Sequence, residues 1–224
     1  MNPKLLREFL AFGLVAVAGY CWGTPSLPQN DTTQWQDISS IVWSTNNGGS
    51  WGTSALVVGQ SVEFKITMHK GYDGKHYADL IKAWFDFDGN GLFGTGESVL
   101  FGSHVVNPSY VANTGPGNAA NQSFDFTSGP INLTSAMVGE RYLLARVTCS
   151  ESLLGSGHSW SDQWSATNIS SYNSLFSSTA RYHQGESELV KLTVNNKVPE
   201  PGTLALFAVA MLGMGLIRKQ ANRV

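Results

Sequence analysis

Val62, Phe64, Ile66 and Met68 alternate with Glu63, Lys65, Thr67 and His69. A period of two puts the apolar set on one face and the polar set on the other, which predicts a half-buried β-strand. Asp73-Gly74 follows as a type I′ hairpin signal, and a return strand is expected from about Lys75 to Phe87. Val190, Leu192 and Val194 alternate with Leu189, Lys191 and Thr193 in the same manner. Further strands are predicted near residues 38–44, 98–106, 124–127 and 141–149. The Asn/Ser/Gly-rich stretches 107–122 and 150–181 read as loops. Between residues 24 and 196 no segment carries strong helical periodicity. Short strands separated by turn signals predict an all-β body, a β-sandwich or jelly roll.

The two ends follow a different pattern. Lys4 and Arg7 precede an apolar run from Phe9 to Ala18, and small residues follow. Basic start, apolar stretch and small residues predict a secretory signal peptide, cleaved after Gly19 or after Gly23. We expect the second, leaving residues 1–23 as the leader, because Pro25 and Pro28 then open an extended terminus. At the other end, Val198-Pro199-Glu200-Pro201-Gly202 leads into an apolar run from Thr203 to Ile217, then Arg218, Lys219 and Arg223. As a helix, 203–217 would span about 22 Å, short of a hydrocarbon core of about 30 Å. Snorkelling Arg218 and Lys219 would extend it, and the cationic tail predicts a cytoplasmic end with the body outside.

Pro199-Glu200-Pro201, the apolar helix and the basic cluster resemble the PEP-CTERM sorting signal. The resemblance covers residues 197–224. It implies an exosortase-type processing enzyme as partner and transient anchoring in the inner membrane. Release to the cell surface or medium would follow, in bacteria that make exopolysaccharide.

Charge agrees with export. The chain holds 14 Lys+Arg against 16 Asp+Glu, a net −2, but the basic residues favour the ends. The body keeps 8 basic and 14 acidic residues, a net −6. No basic patch predicts nucleic-acid binding. Charged residues make up 13% of the chain and aromatic ones 11%, which excludes a coiled coil and a long disordered chain. With cleavage after Gly23, Cys149 is the body's only thiol, so an internal disulfide is excluded; its apolar surroundings predict a core residue.

The sharpest candidate chemistry lies in Asp86-Phe87-Asp88-Gly89-Asn90-Gly91-Leu92-Phe93-Gly94-Thr95-Gly96-Glu97. Counting Asp86 as position 1, oxygen-bearing side chains fall at 1, 3 and 5. Gly91 falls at 6, and Glu97 at 12. That is the spacing of an EF-hand calcium loop, here between strands rather than helices. Calcium is a hard cation that takes 6–8 oxygens. Asp86, Asp88 and Asn90, the Leu92 carbonyl and a bidentate Glu97 are the predicted ligands. Gly94 at position 9 would leave a place for water.

Three weaker signals remain. Gly48-Gly49-Ser50-Trp51-Gly52 matches the G-x-S-x-G elbow of secreted hydrolases. That motif needs a strand before it and a helix after it. Asn46-Asn47 and the apolar stretch to Val58 read instead as a turn entering a strand. The five His show no i, i+4 pair for a helical zinc site. Trp160, Asp162 and Trp164 form a polar aromatic patch suited to stacking on a sugar ring and bonding its hydroxyls, which makes a carbohydrate-binding module the main alternative.

Two further segments resemble GEVED-type domains. One is Ile81 to Leu100, a hydrophobic strand entering an Asp-rich turn. The other is Arg141 to Thr148 with His183-Gln184-Gly185-Glu186-Ser187-Glu188. Ser187, Leu189 and Val190 depart from that family's name motif. The resemblance spans about residues 60–195 of a body running 24–196. It implies an extracellular β-sandwich module without enzyme activity.

Overall fold

The computed structural model describes residues 25–28, 30–32, 36–70, 77–105, 122–154 and 169–197. Several expectations lie outside them: the leader, the turn at Asp73-Gly74, the patch Trp160, Asp162 and Trp164, and the segment with Pro199, Glu200 and Pro201. Among the described residues no helix is long and apolar enough to cross a membrane.

The strands are β1 (Asn30–Thr32), β2 (Gln36–Ser44), β3 (Leu56–Val57), β4 (Ser61–Lys70), β5 (Ala78–Phe85), β6 (Ser98–Val105), β7 (Gln122–Thr127), β8 (Ile131–Asn132), β9 (Gly139–Cys149), β10 (Tyr182–Gln184) and β11 (Glu186–Asn195). One sheet has the order β3-β11-β9-β5-β6 and the other β2-β4-β7, with β8 also paired to β4. β1 and β10 form a short parallel pair. The architecture is all-β, as the alternation predicts.

The two sheets enclose one core. In β4 every second residue from Val62 to Met68 is buried, as its pattern predicts. Phe64 meets Phe85 of the opposite sheet at 5.6 Å between ring centroids and Trp43 at 6.4 Å. Fully burying such a side chain contributes about 1.5–3 kcal/mol. Phe64→Ala is therefore expected to cost about 3–5 kcal/mol, measured as a lower urea midpoint at unchanged slope.

The return strand, expected from about Lys75 to Phe87, is β5 over Ala78–Phe85, buried at every position. It lies between β9 and β6 in the sheet, under a second apolar cluster of Leu80, Trp84, Leu144, Tyr172, Phe176 and Tyr182. Its end is Phe85, and Asp86 and Phe87 belong to the following turn. The stretch 150–181, expected as loop, contains α1 (Ser150–Leu154) and α2 (Ser171–Leu175). Each has only 5 residues, too few for an amphipathic period to register. α2 brings Tyr172 and Phe176 onto the outer face of β5 and β9.

Gly185 and Glu186 stand where β10 passes into β11. Gly185 has φ +108°, and a Cβ there would collide with the carbonyl oxygen of Val147 in β9. Glu186 Oε2 accepts from the N–H of Ile38 at 2.6 Å, where β2 changes register. β2 is the edge strand of its sheet, and a carboxylate from the other sheet thus serves one of its backbone donors. Cys149 is buried, its thiol pushed up to about 12 by burial, and it donates to Gln184 Oε1 at 2.9 Å. It is a core residue, as its surroundings predict.

Candidate metal centre

β5 delivers Asp86 to the edge of the core, where its N–H donates to the Tyr142 carbonyl of β9. The chain then turns through Gly89 and Gly91, both at φ +73°. This left-handed backbone suits glycine and lets the turn close on itself. A Cβ on Gly89 would also push aside the end of the Arg141 side chain, a smaller effect than the positive φ.

The turn is built from side-chain to backbone hydrogen bonds. Asn90 N–H lies 3.0 Å from Asp86 Oδ1 and 3.1 Å from Asp88 Oδ1. Gly91 N–H donates to Asp86 Oδ2 at 3.2 Å, and Leu92 N–H to Asn90 Oδ1 at 2.6 Å. Thr95–Glu97 form a single 3₁₀ turn. From it Glu97 reaches back to both ends of the loop, accepting from Phe87 N–H at 3.0 Å and Gly94 N–H at 2.8 Å.

As a result Asp86, Asp88 and Glu97 each present a carboxylate oxygen within 4.8 Å of the other two. The predicted positions 1, 3 and 12 therefore converge. Asn90, at position 5, belongs to the same turn with its oxygen held by Leu92 N–H. The Leu92 side chain is 68% exposed. Among the described residues no cation forms an ion pair with the three acids. Arg141, whose guanidinium lies against Gly89, donates instead to the carbonyls of Glu140 and Ala136 at 2.6 and 2.8 Å. Asp86 is buried, and burial of an unpaired carboxylate raises its pKa, with Asp88 adding to the effect. Burial likewise raises Glu97, with smaller contributions from Asp88 and Asp86. Hard oxygens, converging geometry and carboxylates without a counter-ion all fit a divalent cation such as calcium.

These shifts set the sign of a pH dependence. Folded-state pKa values raised above the unfolded ones mean that the folded chain binds more protons between the two. Stability then falls as pH rises through that window, from just below the ordinary carboxylate values of 3.8 and 4.5 upward. A cation held by the ionised forms opposes this. In chelator, melting temperature is expected to be lower above the window for the wild type than for Asp86→Asn, relative to their values below it. A pH profile unchanged by Asp86→Asn would show that the loop carboxylates do not drive it.

Ser50, the serine of the elbow-like motif, sits in an exposed turn. Its Oγ accepts from Asn46 Nδ2 at 3.1 Å, and the next regular element is the strand β3 rather than a helix. No histidine is bonded to it among the described residues.

The comparison with family models gives one finding. Residues 197–219 match the PEP-CTERM protein-sorting motif. This motif implies export, membrane anchoring before processing, and processing by exosortase, a membrane enzyme. The match begins two residues after β11 ends. A search of curated proteins returns no match to the chain.

Proposed function

We propose that the protein is a non-enzymatic surface or matrix component whose β-sandwich body carries a calcium-stabilised loop and is released by exosortase cleavage. The observation that carries the sorting part is the match at residues 197–219 directly behind a folded body. Mass spectrometry of released protein tests it. The expected product ends near residue 200 and yields no Leu204–Ile217 peptide. Glu200→Ala should leave the full chain in the membrane fraction. Released protein that still ends at Val224 would refute the reading.

The calcium part is supported by the convergence of Asp86, Asp88 and Glu97. Extracellular calcium modules bind at roughly 10⁻⁴–10⁻³ M, and this loop is expected in that range because Gly94 at position 9 brings no oxygen side chain. At about ten times the dissociation constant, linkage adds roughly 1.4 kcal/mol. For a body of this size that raises the melting temperature by about 4 °C. Asp88→Ala should remove the calcium-dependent rise. Equal melting temperatures in chelator and in millimolar calcium, with no heat of binding, would leave the segment an acidic turn.

The alternative reading is a carbohydrate-binding module that contacts exopolysaccharide through Trp160, Asp162 and Trp164. Exopolysaccharide affinity lost in Trp160→Ala supports it, and unchanged affinity refutes it.

A further inference from the structure

Strand direction sorts the body into two ends. β11 runs from Glu186, level with Val147, to Asn195, beside Val57. Its 10 residues span about 33 Å. β5 runs the same way and sends the 86–97 loop toward the end where β11 finishes: Phe85 pairs with Leu143, which also pairs with Val190, midway along β11. Gly89 rests on Arg141, the partner of Leu192 in the ladder. The stretch from β8 to Gly139 and the turn at Gly59 belong to the same end, since Val194 pairs with Gly139 and Val58 N–H donates to Asn195. Lys70, Ala78 and Cys149 mark the opposite end, where Gln122 and Ser123 pair with Lys70 and His69.

The sorting segment leaves from the first of these ends. Only residues 196–202 separate β11 from the apolar run at Thr203. Seven residues reach at most about 25 Å when extended. That is less than the length of the body along β11. While the segment is anchored, the exit of β11 must therefore stand within about 25 Å of the membrane, and the 86–97 loop lies on the half of the body nearer that exit. Leu92 projects from that loop and is the most exposed of the large apolar side chains among the described residues, at 68%. A lone leucine on a polar loop has little to gain in water, whereas a lipid interface offers it an apolar environment.

We propose that, until cleavage, this end of the sandwich lies against the lipid surface with Leu92 as its contacting side chain. The inference rests on the sorting reading above. It assigns the 86–97 loop a docking role independent of whether that loop holds calcium.

The test uses the full chain in a Cys21→Ser background, where buried Cys149 is unreactive. Single cysteines are introduced by Leu92→Cys and, at an exposed position of the opposite end, by Ser123→Cys. Each is labelled with an environment-sensitive fluorophore. The chain is reconstituted in phosphatidylcholine vesicles containing headgroup spin-labelled lipid. Neutral lipid keeps the loop's own charge from deciding the result. The expected outcome is loss of fluorescence at position 92 and none at position 123. Chain that alkaline carbonate strips from the vesicles would overturn the anchoring, and the inference with it. Anchored chain quenched equally at both positions, or at neither, would overturn the inference alone. Proteolytic release near residue 200 should restore fluorescence at position 92; persistence of quenching after release would also count against tethered docking.

Discussion

Gly185→Ala is expected to destabilise the body by about 3–5 kcal/mol, a large share of the 5–15 kcal/mol that holds a typical domain together. Two terms combine. The backbone at φ +108° is strained for any residue with a Cβ, worth about 1–3 kcal/mol. The methyl also enters the space of the Val147 carbonyl, where relief requires moving β9 or β11. Neither can move cheaply. β9 is paired on both sides, and Thr148 Oγ1 donates to the Gln184 carbonyl at 2.7 Å across the same joint. Gly139 supplies a control, because it has the same φ of +108° but open space where a Cβ would stand. Gly139→Ala should therefore cost only the strain. Urea unfolding followed by tryptophan fluorescence separates the two variants, and equal midpoints would show that the collision with Val147 carries no weight.

Arg146→Met should cost about 2–4 kcal/mol, the sum of the unmet acceptors it leaves behind. Arg146 is buried in the middle of β9 with no carboxylate beside it among the described residues. Its guanidinium donates to Ser187 Oγ at 2.9 Å, the Ser177 carbonyl at 2.7 Å and Asn30 Oδ1 at 3.0 Å. It also lies over the Tyr182 ring at 4.4 Å. Burial lowers its pKa to about 10, so it stays charged at neutral pH. Lys82 stands directly opposite in the ladder and donates to the carbonyls of Asn173 and Phe176 at 2.6 and 3.2 Å. Like charges across a strand pair repel. Here each is offset by carbonyls at the end of α2 and by an aromatic face, Tyr182 for one and Trp84 for the other. The two cations thereby fasten the 171–182 segment over the sheet. Methionine fills the volume but takes the donor from Asn30 Oδ1 and leaves Ser187 Oγ and the Ser177 carbonyl only longer bonds, from Asn30 Nδ2 at 3.3 Å and the Tyr182 hydroxyl at 3.4 Å, at about 1–3 kcal/mol for each acceptor left unmet. Lysine keeps the charge but not the fork, so Arg146→Lys should recover only part of the loss. Amide exchange at 177–182 should accelerate in both variants; unchanged protection there would mean that the segment is held by its apolar contacts alone.

β4 and the calcium-like loop were readable in the sequence because each is governed by local spacing. Alternation assigned Val62, Phe64, Ile66 and Met68 to one face, and a single buried face is what β4 has. Oxygen-bearing side chains two residues apart, with glycine at the turn, brought Asp86 and Asp88 together. The distance along the chain to Glu97 was enough to bring it back to them. The short pairs β1, β3, β8 and β10 were not readable. Their partners are remote, and two or three residues carry no period. The burial of Lys70, Asp79, Lys82 and Arg146 was equally hidden. Polar side chains on a strand read as solvent-facing unless the element that covers them is known.

The sequence by itself determined the class of the body, the residues of one core face, the composition of the acidic loop and the sorting motif at its far end. Each depends on neighbours within about a dozen positions. Only the tertiary structure decided that β5 is covered on both faces, that Gly185 must be glycine, and that two cations hold α2 against the sheet. It also decided that the acidic loop lies on the half of the body nearer the exit toward the membrane. These depend on strand order and direction. The pairing of β5 and β11 with opposite edges of β9 fixes that geometry, and residues some 90 to 110 positions apart in the chain have no local pattern to announce it.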